Sequence, residues 1–166
     1  MNQTFAGMSG VDWALLGGGI AAILAGIGSA IGITIANATI SGIVTEDTEK
    51  FGKLLPLAAI PGTQGIYGFI AAVLVLVFFN ILGGAPTLSG AQGFKVFLAC
   101  QPVAWACFIS AIYQGLSSAS AAGIVARRGE DAGKALILPA LVETYAVLSL
   151  IVTILMMLSL RTIFGA

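Results

Sequence analysis

The sequence has very little charge and no histidine. Only 8% of its 166 residues are charged, against roughly 25% in ordinary globular domains, and 58% are hydrophobic. A soluble domain of this length could not hide so much apolar surface from water. The formal net charge is zero, so there is no electrostatic reason to expect a nucleic-acid partner. The composition therefore predicts an integral membrane protein.

Three further features that the sequence lacks narrow down the kind of membrane protein. Cys100 and Cys107 lie roughly 10 Å apart along one predicted helix, which is too far for a disulfide. The first 13 residues contain no lysine or arginine and so lack the basic flank of a signal peptide, and we expect the first hydrophobic segment to be retained. No ten-residue stretch alternates apolar with polar residues, as barrel strands do. The spans are therefore predicted to be helices.

Long uncharged stretches are what the sequence has instead. Residues 13–45, 54–94 and 96–126 carry no charge, and 135–160 carries one, on Glu143. Each stretch exceeds the roughly 20 apolar residues that cross a bilayer. The second also contains glycines and a proline at 83–86, which are typical of a turn, so it holds one helix and a loop.

The sequence thus predicts an all-α membrane protein with four transmembrane helices, arranged as two tandem hairpins. The predicted hairpins are residues 1–90, with helices at about 13–44 and 54–82, and residues 91–166, with helices at about 95–126 and 133–160.

Basic residues are concentrated on one side of this arrangement. Five of the seven lie in or beside two short loops, and these are Lys50, Lys53, Arg127, Arg128 and Lys134. By the positive-inside rule, we expect loops 45–53 and 127–133 to face the cytoplasm and both termini to lie outside.

The two halves of the chain are similar to each other. Matches at an offset of 81 residues include Gly42 with Gly123 and Lys53 with Lys134. A unit of two spans re-enters the membrane in the same sense, so the halves are parallel copies. Secondary transporters commonly have inverted repeats, and the pattern argues against such a carrier.

Small residues recur every four positions on the odd-numbered helices. The two stripes are Gly18, Ala22, Gly26 and Ala30 on the first helix, and Ala111, Gly115, Ala119 and Gly123 on the third. Such stripes let helix backbones approach closely. Two explanations of the stripes remain. The small residues pack helices together within one subunit, or they form the inner wall of a ring of many copies.

Glu143 is a charged residue in the interior of a predicted membrane span. A carboxylate within a span is expensive and is by default a functional residue. The sequence contains no histidine, and the predicted spans contain no basic residue apart from Lys95 and Lys134 at the very start of the third and the fourth. A bound proton, a bound metal cation or a charge on another protein must therefore compensate it.

Other polar residues are predicted at the depth of Glu143. Counted from the nearest loop lysine or arginine, Glu143, Gln64 and Gln114 lie at roughly 14, 17 and 20 Å. Thr63 and Tyr67 share a helix face with Gln64. Oxygen ligands with one negative charge suit a hard monovalent cation, whereas two charges would be expected for a divalent one. In a structural alternative, in which these residues bind no ion, the glutamines link helices and Thr63 bonds to its own helix.

Three segments resemble the membrane-rotor proteolipid of V-type rotary ATPases, and in particular the c-ring subunit of the bacterial sodium-translocating form. They are IPGTQGIYGF at 60–69, AIYQG at 111–115 and LVETYA at 141–146. The resemblance implies that Glu143 binds the ion, with oxygens from Thr63, Gln64, Gln114 and the Ile60 backbone carbonyl, and that Tyr67 hydrogen-bonds to Glu143. Gln64 stands where two-helix relatives have a second carboxylate, which implies one site per four helices.

The resemblance also implies a mechanism and partners. Copies would form a homo-oligomeric ring that carries sodium, or alternatively only protons, past a membrane stator subunit with an arginine and the surrounding lipid. Central-stalk subunits would couple rotation to ATP hydrolysis, so the chain would not be an enzyme by itself. The rivals are a secondary ion transporter and a structural proteolipid or pore. An intramembrane hydrolase is disfavoured because no histidine or second carboxylate is available.

Overall fold

Helices make up the regular structure of the chain. The computed structural model describes residues 4–84 and 86–165, so residue 85 of the predicted turn and the extreme ends lie outside it. Over those ranges, four helical segments are long and apolar enough to cross a membrane: Gly10–Glu46, Thr48–Phe78, Gly90–Arg127 and Gly129–Phe164. The predicted all-α plan of four membrane helices is confirmed.

The first and third segments are single long helices, α1 (Gly10–Glu46) and α4 (Gly90–Arg127). Each begins at a capping box, in which a serine side chain accepts a backbone N–H bond and the third helical residue bonds back to the serine N–H. These boxes are Ser9 with Asp12 and Ser89 with Gln92. Polar caps extend both helices beyond the apolar stretches, so they begin before residues 13 and 95.

The second and fourth segments are interrupted. The second consists of a 3₁₀ turn (Thr48–Lys50), helix α2 (Phe51–Ala59), a further 3₁₀ turn (Ile60–Gly62) and helix α3 (Thr63–Phe78). The fourth consists of a 3₁₀ turn (Gly129–Asp131), helix α5 (Ala132–Ala135) and helix α6 (Ile137–Phe164).

The second segment ends earlier than the apolar stretch suggests. Helix α3 stops at Phe78, whereas the apolar sequence indicated a helix to about residue 82. Asn80 and Gly84 adopt positive φ angles of 52° and 73° just after it. Asparagine and glycine tolerate this left-handed conformation, and the chain turns here although its side chains are still apolar.

Helices α1 and α4 form the closely packed centre of the subunit. A Cβ added to Gly28 would lie 2.5 Å from the carbonyl oxygen of Phe108, so only glycine allows this approach. Helix α3 packs against α1, and α6 packs against α4. This arrangement brings the first two turns of α3 and α6 together with the middle part of α4 around one polar cluster.

The two small-residue stripes have different surroundings. Ala111 and Gly115 on α4 are buried against α1. Gly26 and Ala30 on α1 are exposed, and a Cβ on Gly26 would meet no atom of the described chain within 4 Å. Packing within one subunit therefore explains the first half of the α4 stripe but not the second half of the α1 stripe.

Candidate ion-binding site

Glu143 lies on α6 with both carboxylate oxygens hydrogen-bonded. The hydroxyl of Tyr67, on α3, donates to Oε1 at 2.5 Å. The side-chain amide of Gln114, on α4, donates from Nε2 to Oε2 at 3.2 Å. The carboxylate is half-buried and connects three helices. Hydrogen bonds to an ionised group are stronger than neutral ones, so these two donors fix the orientation of the side chain.

Gln64 and Gln114 form the buried floor of the site. Both residues are 0% exposed, and Gln64 Nε2 donates to Gln114 Oε1 at 2.5 Å. Gln114 Nε2 donates a second bond, at 2.9 Å, to the backbone carbonyl of Pro139. Buried amides are costly when unpaired, so these bonds hold both side chains in place. The bonds link α3, α4 and α6 at one level.

Thr63 and Ile60 complete the cluster at the break between α2 and α3. Thr63 Oγ1 donates to the carbonyl oxygen of Ile60 at 2.9 Å and lies 3.4 Å from Gln64 Oε1. The 3₁₀ turn at Ile60–Gly62 contains the buried Pro61, which has no N–H to donate to the helix. At this break the Ile60 carbonyl accepts from the Thr63 hydroxyl, which in turn lies beside Gln64.

All six residues singled out in the sequence thus lie in one polar cluster. Hydrogen bonds join Gln64 to Gln114, and Glu143 to both Gln114 and Tyr67. Thr63, whose hydroxyl donates to the Ile60 carbonyl, lies against Gln64. The contacts of the structural alternative are present as well, because Thr63 bonds to its own helix and the two glutamines bond to each other.

The amide of Gln114 is oriented with its nitrogen, not its oxygen, towards Glu143. The two ends of an amide have nearly the same shape, and rotation about the last side-chain bond exchanges them. After such an exchange the Gln114 oxygen would lie beside Glu143 Oε2 and the Pro139 carbonyl. The donor set of carboxylate, amide, hydroxyl and carbonyl oxygens then suits a monovalent hard cation. In the described part of the chain, no cluster of three or more His, Cys, Asp or Glu residues forms a multivalent metal site.

Two contacts of the site were not predicted from the sequence. Ser29 Oγ, on α1, accepts a hydrogen bond from the backbone N–H of Gly65 at 2.8 Å, beside Gln64. Pro139 contributes its carbonyl to Gln114. The one sequence signal for Ser29 is a hydroxyl in an otherwise apolar run of glycine, alanine and isoleucine. A backbone carbonyl leaves no signal in residue type.

Two buried hydroxyls flank Gln114 on its own helix. Ser110 and Ser118 lie one turn before and after it, and their Oγ atoms have no hydrogen-bond partner within residues 4–84 and 86–165. The i±4 spacing from Gln114 could have indicated both.

The site lies within segments that match a known family. The family model of the ATP synthase C-subunit matches twice, at residues 16–75 and 97–156. The second match begins and ends 81 residues after the first, the offset of the internal repeat. Gln64 falls in the first match, and Gln114 and Glu143 fall in the second.

Two relatives are similar over most of the chain. The V-type sodium ATPase subunit K of Enterococcus hirae is 37% identical over 150 residues, which is 90% of this chain and 93% of the relative. The A-type ATP synthase subunit K of Methanocaldococcus jannaschii is 37% identical over 142 residues, which is 86% of this chain and 60% of the relative.

These matches confirm the resemblance to rotor proteolipids. Such proteins translocate ions as homo-oligomeric rings within rotary ATPases and are not catalytic by themselves. The chain therefore belongs to the ATP synthase C-subunit family, as a multi-pass membrane protein of the rotor of a rotary ATPase.

Proposed function

We propose that each subunit binds one sodium ion at Glu143 and carries it across the membrane as the ring turns, driven by ATP hydrolysis in partner subunits. The observation that carries this proposal is the polar cluster in which Glu143 is hydrogen-bonded to Gln114, Gln114 to Gln64, and Gln64 lies beside the Thr63 hydroxyl and the Ile60 carbonyl to which that hydroxyl donates. Tyr67 holds the carboxylate in place.

Charge neutralisation is the reason for a cation. An ionised carboxylate that moved past lipid would lose several kcal/mol of solvation, whereas a carboxylate with a bound cation is neutral overall. The sequence supplies no lysine, arginine or histidine between Lys134 and Arg161 to do this. At the stator, a partner arginine would compensate the bare carboxylate when the ion leaves.

The number of oxygens supports sodium over protons. A proton needs only Glu143, whereas sodium needs several oxygens, and the cluster offers side-chain oxygens on Thr63, Gln64 and Gln114 together with a carbonyl. The relative from Enterococcus hirae belongs to a sodium ATPase. One observation favours the alternative, a rotor that carries protons: Gln114 presents an N–H to Glu143, an arrangement that satisfies the carboxylate without a metal ion.

The loops give the proposed orientation. Lys50 Nζ donates to the carbonyl oxygen of Ala126 at 2.7 Å, so both interhelical loops, 45–53 and 127–133, lie at the same end of the protein. Both carry the excess of basic residues that marks a cytoplasmic side. We propose that this end faces the cytoplasm and the central stalk, and that the termini face outwards.

The single carboxylate has a consequence for energy coupling. With Gln64 at the position of a second acid, each unit of four helices carries one ion. Fewer ions per turn lower the ion-to-ATP ratio, so each ATP hydrolysed supplies more driving force per ion. That ratio suits a pump better than a synthase.

The test is the reaction of Glu143 with a hydrophobic carbodiimide in purified rings between pH 5 and 9. The reagent attacks only a protonated carboxyl, so a bound cation protects it. We expect sodium chloride to slow the labelling and potassium chloride at equal ionic strength to leave it unchanged. The Glu143→Gln variant identifies the labelled residue.

Each outcome is decisive for one hypothesis. Labelling that depends on pH alone would establish the proton rotor and return Thr63, Gln64 and Gln114 to structural roles. Glu143 that stays unlabelled at every pH would contradict an ion carrier at this residue.

A further inference from the structure

We propose that Ser29 is a positioning residue of the cation site, acting through the broken second helix of the first hairpin. Its hydroxyl caps the first turn of α3 at Gly65 and thereby holds Ile60 and Thr63 in the geometry that the ion requires. The inference rests on the sodium site proposed above and adds a residue of α1, a helix that contributes none of the oxygens proposed to bind the ion.

The contact is short, and its acceptor is buried. Ser29 is 6% exposed, and its Oγ accepts the N–H bond of Gly65 at 2.8 Å. The two residues are 36 positions apart and lie on different helices. A Cβ on Gly65 would lie 3.3 Å from Ser29 Oγ, so glycine at this position lets the hydroxyl approach the backbone.

The break in the helix explains why a cap is needed there. Gly65 is the third residue of α3, directly after the 3₁₀ turn Ile60–Gly62, and Gly62 at the N-cap position has no side chain to cap the helix. Amides in the first turn of a helix lack regular helical partners. Within a membrane no water replaces them, and an unsatisfied N–H costs several kcal/mol. Ser29 supplies the missing acceptor from the neighbouring helix.

The same face of α1 supports the rest of the break. A Cβ on Gly32 would lie 3.0 Å from Cβ of Pro61, and a Cβ on Gly62 would lie 3.1 Å from Cδ1 of Ile33. Ser29 is the member of this face that makes a directed bond, while the other two make only van der Waals contact. Losing that bond leaves the break in place but frees the first turn of α3 to shift relative to α1.

A shift of this kind would act on sodium and not on the carboxylate itself. Ile60 and Thr63 lie at the break, within five residues of Gly65, so their oxygens move with it. Glu143, on α6, accepts its hydrogen bonds from Tyr67, in the second turn of α3, and from Gln114, on α4. Both donors lie outside the first turn of α3. Removing the Ser29 hydroxyl should therefore weaken sodium binding and leave the sodium-free reactivity of Glu143 unchanged.

The experiment compares purified rings of the wild type, Ser29→Ala and Ser41→Ala by carbodiimide labelling of Glu143 over a sodium titration. Ser41 is the matched control, an exposed serine of α1 whose hydroxyl bonds to Ala38 of its own helix. Loss of one hydrogen bond should raise the sodium concentration for half-protection roughly 2- to 12-fold in Ser29→Ala. We expect no change in Ser41→Ala, and the same sodium-free labelling rate in all three.

A near-isosteric variant guards against a failure of assembly. Cysteine has almost the size of serine but is a weak acceptor, so Ser29→Cys should assemble and still raise the half-protection concentration. A wild-type midpoint in either variant would overturn the role of Ser29 and leave the sodium site standing. An equal loss of labelling with and without sodium would show a general structural defect and overturn it too. A wild-type ring that sodium does not protect would overturn both proposals.

Discussion

Gln64 and Gln114 hydrogen-bond to each other at 2.5 Å although they lie 50 residues apart and in different hairpins. Both are fully buried, and the second is also bonded to Glu143 and to the Pro139 carbonyl. The polar cluster around Glu143 therefore joins the two hairpins, through Gln64 with Gln114 and through Tyr67 with Glu143.

Replacing either glutamine should weaken sodium binding. Gln64→Leu leaves the Gln114 amide without one partner, and Gln114→Leu leaves both Gln64 and Glu143 short of one. From the range of hydrogen-bond energies between membrane helices, about 0.6–1.7 kcal/mol, we expect half-protection of Glu143 to need about 3- to 20-fold more sodium. The double variant should lose less than the sum of the two, because the residues share one bond.

Gln101→Leu is the control for both. It lies on the same helix as Gln114, and its Nε2 donates to the Phe97 carbonyl within that helix. A similar loss in this control would assign the effect to a general disturbance of α4. Strict additivity of the two single variants would contradict a shared bond.

Tyr67→Phe should lower the sodium affinity by more than either glutamine variant does. Its hydroxyl donates to Glu143 Oε1 at 2.5 Å, and hydrogen bonds to charged groups contribute about 1.5–3 kcal/mol. The sodium concentration for half-protection should rise roughly 10- to 150-fold. Tyr113→Phe, at a tyrosine that is 59% exposed on α4, should behave as the wild type. An unchanged titration in Tyr67→Phe would mean that this hydroxyl does not hold the carboxylate in its ion-bound position.

Gly32→Ala should destabilise the protein. The new methyl group would overlap the carbonyl oxygen of Ala111 and press on Pro61, so α1 must move away from both α4 and the helix break. Overpacking of this kind costs roughly 1–3 kcal/mol, visible as a lower midpoint of thermal unfolding of the ring in detergent. Gly42→Ala meets nothing within 4 Å and should leave the midpoint equal or slightly higher. Equal midpoints for both variants would contradict the close contact at Gly32.

Low pH should reduce the stability that the loop of the first hairpin contributes to the protein. The hydrogen bond from Lys50 lowers the pKa of Asp47 below its ordinary value of 3.8, and the two side chains are 3.1 Å apart. A carboxylate with a lowered pKa contributes stability fully above its ordinary pKa, and that contribution is lost as the pH falls through the lowered value. Asp47→Asn should therefore lower the unfolding midpoint at neutral pH, and its difference from the wild type should shrink below about pH 4.

The control for this pH dependence is Glu46→Gln, at an exposed carboxylate next to Asp47. Its difference from the wild type should not follow the same course. A difference for Asp47→Asn that stays constant from pH 7 to pH 3 would show that the loop gains nothing from the ionised pair.

Residue type and spacing alone determined the membrane class and the four helices, and associated Thr63, Gln64, Tyr67 and Gln114 with Glu143. The Ile60 carbonyl was expected only from the resemblance to rotor proteolipids. Apolar stretches longer than a bilayer admit few alternatives to a helix, and a fixed rise per residue converts sequence distance into depth. Depth counted from the loop charges was therefore enough to associate Gln64 and Gln114 with Glu143.

Tertiary structure alone decided how those groups are oriented and what supports them. Which end of the Gln114 amide faces Glu143 depends on partners from two other helices: the Pro139 carbonyl on α6 accepts from its nitrogen, and Gln64 on α3 donates to its oxygen. The bond from Gly65 to Ser29 depends on how closely α1 approaches the break in its neighbour. Backbone groups have no residue-specific signal, and the approach of two helices is set by the sum of many small packing contacts. Neither can be read from the spacing along one chain.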